Sequence, residues 1–272
     1  MSAGTGALPV TPERHDRRLR VLILGGTGEA RRLADVLVAR GDLDVISSLA
    51  GRTSAPLLPE GEVRRGGFGG PDGLAAWIAA EHPSAVIDAT HPYAQQISRT
   101  LRRVCAALRV PRLRLDRPVW QPQAGDDWRL VDQLDEAVAL ATQLGRRIFL
   151  SVGRVPLDLL RPHPAHWFLV RSVEPLHETL PNMRPVTARG PFRRVDELEL
   201  LDGHRIEVVV SKASGGSSVF AKIEAARELH LPVVMLRRPE PPAGPLVQRA
   251  SDAIAWLDQV LAERRAGRST WL

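Results

Sequence analysis

Apolar residues along the chain fall into short runs that alternate with stretches of helical spacing. Residues 19–24 (LRVLIL) form a β-rich apolar run closed by Gly25 and Gly26, which predicts a buried strand. Ala30, Leu33, Ala34, Leu37 and Val38 then recur at helical steps from Thr27 or Gly28 to Arg40, and Gly41 stops the helix. A strand over 43–49, a Pro-opened helix over 71–81, a strand over 84–88, a helix over 93–108 and a strand over 110–115 follow. Strands alternating with helices through short loops predict a parallel sheet with right-handed crossovers.

The pattern breaks at 116–127 (DRPVWQPQAGDD), where Pro, Gly and charge replace periodicity and predict a linker. Alternation resumes beyond it. Helices are expected at 133–144, 192–201 and 217–229, and strands at 147–152, 167–172, 206–211 and 233–236. A last amphipathic helix at 250–264 fits either half. The predicted fold class is α/β: two Rossmann/flavodoxin-like domains whose parallel sheets flank a cleft. Residues 1–18 form a flexible tail, 19–117 a nucleotide-binding domain and 118–272 a second, substrate-binding domain.

Four segments carry candidate chemistry. The first is the turn after the first strand, Gly25, Gly26, Thr27, Gly28 and Glu29. Glycines there let the backbone approach a phosphate, and a helix N-terminus offers unpaired N–H groups with a favourable dipole. The full GxGxxG fingerprint is absent, because Arg31 holds the place of its third Gly, and no GK[ST] follows. A plain tight turn with Thr27 as helix cap explains the same residues. The second segment ends the second strand, where an NAD site would place an acid toward the ribose 2′-hydroxyl. Ser48 and Arg52 stand there instead, which favours the 2′-phosphate of NADP.

The third segment is Asp88, Ala89, Thr90, His91, Pro92 and Tyr93, at the exit of another strand, where ligands of open α/β sheets bind. Asp88 and Thr90 are candidate cofactor contacts, His91 a proton-transfer group and Tyr93 a substrate contact, although Pro92 also suits an ordinary helix start. The fourth is a strand, loop and helix unit with Lys212, Ser214, Gly215, Gly216 and Lys222, a second anion cradle of the same physical kind.

Composition sharpens the last segment. The 37 basic residues are 35 Arg and only 2 Lys, and both lysines lie in this unit. The formal charge of +6 raises nucleic acid as a partner. Against it, 31 acidic residues balance most of the Arg, no basic strand is interleaved with aromatics, and a GC-rich genome produces the same Arg excess. A small anionic molecule is the expected partner, with neither nucleic acid nor membrane. No apolar run reaches the roughly 20 residues of a bilayer helix. One cysteine, Cys105, allows no internal disulfide, so a cytoplasmic location is the default. His163 and His166 lie either side of Pro164 with no carboxylate cluster, so no metal is expected. The oligomeric state is left open, a monomer being compatible with the sequence.

In order, the GGTGE turn at 25–29, SLAGRT at 48–53, DATHPYA at 88–94 and the KASGG…KIEAARELHLPVVMLRRP stretch at 212–239 resemble the precorrin-6A reductase family of cobalamin biosynthesis. The resemblance spans roughly residues 20–240. It implies two α/β domains, NADPH as cofactor and reduction of a double bond of the precorrin-6A macrocycle to give precorrin-6B. The substrate would be a polycarboxylate tetrapyrrole, which a positive cleft gathers electrostatically. Arg154 and Arg189 are then candidates for its acetate and propionate arms. His91 is the first candidate proton donor, with Lys212, water or a substrate carboxyl as alternatives. Tyr93 is a poor acid, since the family often has Phe there. Two other readings stay open: an NADP-dependent reductase of another anionic substrate, and a non-enzymatic NADP-sensing or nucleic-acid-associated protein. If Arg52 meets the 2′-phosphate, Arg52→Ala raises the apparent constant for NADPH far more than that for the tetrapyrrole; equal effects on both would remove the assignment.

Overall fold

Strands and helices alternate through residues 18–51 and 57–266, the part of the chain that this computed structural model describes. The first half runs β1 (Leu19–Leu24), α1 (Gly28–Ala39), β2 (Leu43–Leu49), β3 (Glu62–Arg65), α2 (Gly70–Glu81), β4 (Ala85–Asp88), α3 (Gln95–Ala107) and β5 (Arg112–Leu115). The second runs β6 (Trp128–Val131), α4 (Leu134–Leu144), β7 (Arg147–Ser151), β8 (Trp167–Ser172), β9 (Met183–Thr187), α5 (Arg194–Gly203), β10 (Val208–Lys212), α6 (Ala221–Glu228) and β11 (Val233–Leu236). β12 (Leu246–Val247) and α7 (Ala250–Arg265) close the chain. Residues 1–17, most of the expected tail, lie outside the described residues.

The strands form two six-stranded sheets, β12-β5-β4-β1-β2-β3 and β6-β11-β10-β7-β8-β9, with every pairing parallel. The fold is therefore the expected α/β arrangement of two parallel sheets. In the first sheet the order reverses between β1 and β4, and in the second between β7 and β10. Such switch points open a crevice at the carboxyl ends of the strands. Central strands are buried on both faces, as in LRVLIL and VVVSK, because helices cover both sides.

Four strands escape the sequence pattern: β3, β6, β9 and β12. All are sheet edges. Their burial is partial, so they lack the apolar run that marks a central strand, and β9 even carries Pro185, which an edge tolerates.

The C-terminal part of the span 118–272 does not stay with the second sheet. β12 pairs with β5 of the first sheet, and Ala253, Leu257, Val260 and Leu261 of α7 are buried in one core with α1, β1 and β4. The reason is coverage: α7 packs beside α1 on the first sheet and covers apolar surface there. The chain consequently crosses between the sheets twice, near 116–127 and again after β11. Leu257→Ala should cost about 2–5 kcal/mol of stability. Amide exchange should quicken in β1 and α1 and not in β7 and β8; the opposite pattern would place α7 on the second sheet.

Candidate functional site

The turn between β1 and α1 lies at the first switch point. Gly26 has φ +105° with nothing within 4 Å of where a Cβ would stand, an open position that suits only glycine. Gly25 donates its N–H to the Ser48 carbonyl at 2.9 Å, and a Cβ on it would press on Ala30 and Leu49. Thr27 is the helix cap: its Oγ1 accepts from Ala30 N at 3.1 Å and donates to the Ala89 carbonyl at 2.9 Å, tying the turn to the end of β4. Its hydroxyl is thereby spent on the scaffold. The amides of Gly28 and Glu29 open α1, where helix N–H groups have no intrahelical partner. The Glu29 carboxylate turns away from the turn. It accepts from Arg117 Nε at 2.9 Å and lies 3.5 Å from Arg32.

At the end of β2, Ser48 is buried and its hydroxyl lies 3.4 Å from Arg64 Nη1, while Arg64 also holds the Gly66 and Gly67 carbonyls. Arg52 lies outside the described residues. Two arginines that the sequence pattern does not single out, Arg31 of α1 and Arg65 at the end of β3, line the same cleft as Ser48.

The loop after β4 divides into a buried half and a cleft half. Asp88 is fully buried, accepting from Arg114 Nη1 at 2.7 Å and from Thr90 Oγ1 at 2.8 Å. It does not line the cleft, where a cofactor contact was expected, and it shapes the loop. Arg114, itself buried, also reaches the Thr90 carbonyl, Ser98 and Asp116. Thr90, His91 and Tyr93 line the cleft. His91 Nδ1 accepts from Tyr93 N at 3.3 Å, which leaves the proton on Nε2. Burial first, then the cations Arg117, Lys212, Arg238 and Arg114, push the His91 imidazolium down to about 3. Tyr93 reaches across to the second sheet: its hydroxyl donates to the Leu236 carbonyl at 2.7 Å and accepts from Ala213 N at 2.9 Å. Burial raises this phenol to about 12, so it stays a donor.

The second sheet contributes less to the cleft than expected. Lys212, at the end of β10, lies behind the His91 and Tyr93 wall, with its Nζ 5.2 Å from the Tyr93 ring centroid. Gly215 and Gly216 are not an anion cradle. Gly216 donates to the Pro118 carbonyl and accepts from Trp120, and a Cβ on Gly215 would meet the Pro118 oxygen at 2.4 Å. The loop is packed against the first crossover, and Ser214 is buried with it. Lys222 is also away from the cleft. Buried under the second sheet's helices, it donates to the Val219 carbonyl at 2.8 Å, and burial lowers it to about 7 against the opposing pull of Glu197. Arg154 is exposed after β7 outside the cleft lining, whereas Arg189 lines it.

These loops enclose a cleft of about 1460 Å³. Arg31, Arg32, Arg65, Arg99, Arg102, Arg103 and Arg189 line it, and among the described residues no Asp or Glu does. Arg99, Arg102 and Arg103 come from one face of α3. Six of the seven are exposed, Arg32 lies 3.5 Å from Glu29 and Arg99 is hydrogen-bonded to Gln95, and the excess of positive charge along the lining is suited to a ligand carrying several negative charges.

The model of the precorrin-6x reductase CbiJ/CobK family matches residues 20–258. The chain belongs to this family. Family relatives include the precorrin-6A reductase of Rhodococcus erythropolis, 46% identical over 88% of this chain and 97% of the relative. A cobalt-precorrin-6A reductase of Salmonella typhimurium is 28% identical over 81% of this chain and 88% of its own. A solved structure of CobK precorrin-6A reductase superposes with a TM-score of 0.84 at 41% identity, covering 89% of this chain and 97% of that one.

For this family member the His91 environment carries a pH consequence. An unfolded histidine titrates near 6.5 and the folded one at about 3, so the unfolded chain binds the extra proton between those values. Stability owed to neutral His91 is present above about pH 6.5 and is lost as pH falls toward 3. His91→Gln should flatten that acid limb in urea unfolding; an NMR titration of His91 with a midpoint near 6 would contradict the assignment.

Proposed function

We propose that the protein reduces precorrin-6A to precorrin-6B, adding a hydride from NADPH and a proton across one double bond of the macrocycle. The observation that carries this reading is the cleft lined by seven arginines and, among the described residues, no carboxylate, which suits a ring bearing many acetate and propionate arms. The names of the relatives point the same way, and greater identity to precorrin-6A than to cobalt-precorrin-6A reductases favours the metal-free substrate.

The residues present fit NADPH. Gly26 leaves open space at the α1 N-terminus for a pyrophosphate, the end of β2 carries Ser48 in place of an acid, and Arg31 and Arg65 on the same cleft offer guanidinium forks to a 2′-phosphate. When bound, the dinucleotide supplies the hydride. The chain's own part is to hold two reactants at reacting distance and exclude water. Thr27 and Asp88 fix the two loops of the switch point, and the Gly28 and Glu29 amides would receive phosphate oxygens. His91, neutral in the free protein, offers its Nε2–H to the substrate. Carboxylates arriving beside it offset the surrounding cations and favour its protonation, so proton delivery from His91 is tied to substrate binding.

The test is NADPH oxidation followed with purified precorrin-6A. One NADPH should be consumed per macrocycle, with NADH slower by at least about tenfold, the loss of one charge-assisted contact. Turnover of the cobalt-containing substrate alone would overturn the metal-free assignment. Salt-sensitive nucleic-acid binding without any turnover would overturn the enzymatic one.

A further inference from the structure

The loop 212–216 of the second sheet is gripped at both ends by the first. At its start, Tyr93 provides both a ring and a hydroxyl: Lys212 Nζ lies 5.2 Å from the ring centroid, and the next amide, Ala213 N, donates to the hydroxyl. At its end, Gly216 is seated on the Glu29 and Arg117 ion pair, with a Cβ there only 3.3 Å from Glu29 Oε1 and from Arg117 Cδ. The Arg117 side chain is 9% exposed and its carbonyl accepts from Arg238 at 2.8 Å, so the seat includes the second crossover too. Glu29 opens α1 and Tyr93 follows β4. These are the two loops that flank the first switch point and form the walls proposed above for the dinucleotide.

We propose that Glu29 and Tyr93 are positioning residues that grip the loop 212–216 at its two ends and so hold Lys212 against the back of the His91 and Tyr93 wall of the cleft. Neither acts on a reacting atom. Glu29 works through Arg117, holding the α1 N-terminus in register with the second sheet, and Tyr93 works through the Lys212 side chain and the Ala213 backbone. The glycines at 215 and 216 have a structural reason within this arrangement. Their φ angles of +70° and +72° and the lack of room for a side chain let the loop lie flat on the crossover. A shift of the dinucleotide-facing turn is therefore passed to Lys212 through one ion pair and one backbone contact, and a shift of the loop after β4 is passed through the phenol.

The kinetic part of this inference rests on the reading of the cleft as a site for NADPH and precorrin-6A, whereas the structural part does not. Tyr93→Phe, Glu29→Gln and the double variant are compared with the unaltered protein in two measurements. Amide exchange of the peptide covering 212–216, without ligand, should be about five- to tenfold faster in each single variant, as expected for one lost hydrogen bond or ion pair. In turnover, kcat should fall by a similar factor while the binding constant for NADPH, measured without substrate, changes less than about threefold. Glu29→Asp tests the Glu29 end with charge retained and should recover part of the loss. Exchange at the unaltered rate in both single variants would overturn the proposal. NADPH binding weakened in step with kcat by Glu29→Gln would make Glu29 a cofactor ligand instead. Should the unaltered protein not oxidise NADPH with precorrin-6A, the functional reading fails and the exchange rates still decide this one.

Discussion

Arg114 is the residue on which the site depends. Its side chain is 3% exposed, at the first switch point, and it donates to Asp88, to both oxygens of Thr90, to Ser98 and to Asp116. Breaking a buried ion pair costs about 3–5 kcal/mol; both Nη atoms of Arg114 are bonded, while its Nε and Asp88 Oδ2 make no hydrogen bond. Here the partners are the loop after β4 and the first crossover, so satisfying Arg114 fixes both. Asp116 in turn pairs with Arg238 on the second crossover, and Arg238 reaches the Arg117 carbonyl. Three carboxylates, Asp88, Asp116 and Glu29, answer three guanidinium groups, Arg114, Arg238 and Arg117. Charge within the network is balanced, and Glu29 links it to the cleft-lining Arg32 at 3.5 Å.

The cleft beside it is the opposite case. Among the described residues its lining has seven arginines and no carboxylate, and although Glu29 reaches Arg32 the lining carries an excess of positive charge. The contrast separates structural from ligand-facing arginine in a chain that uses 35 of them. His91 is held neutral first by its burial and then by the cations of the network and of Lys212. Charge on the ligand and charge on this imidazole are coupled by proximity alone.

The alternating pattern was sufficient for the central strands, the helices and the two-sheet architecture, because elements buried on both faces must be apolar throughout. Edge strands such as β3, EVRR, carry no such obligation and remained invisible. The turn after β1 was legible because backbone dictates residue type there: Gly26 takes a positive φ and Thr27 caps α1. It was misread where a polar residue has two possible partners. Asp88 and Glu29 look like cofactor contacts in one dimension, and only the fold brings Arg114 and Arg117 to them. Lys222 stood out as one of two lysines and proved to be buried. A usable signal was overlooked in RLRLDR at 112–117: arginines alternating with leucine in a strand expected to be buried require carboxylate partners nearby.

The claim that ties these features together is that the cleft brings a nicotinamide into contact with a polyanionic macrocycle. Its most direct test is the fate of the hydrogen itself, using NADPH deuterated at both C4 positions with precorrin-6A in ordinary water. The account predicts one deuterium in each product macrocycle, retained at carbon, and a second hydrogen taken from solvent. A product free of deuterium, with both hydrogens drawn from water, would contradict direct transfer and with it this view of the cleft.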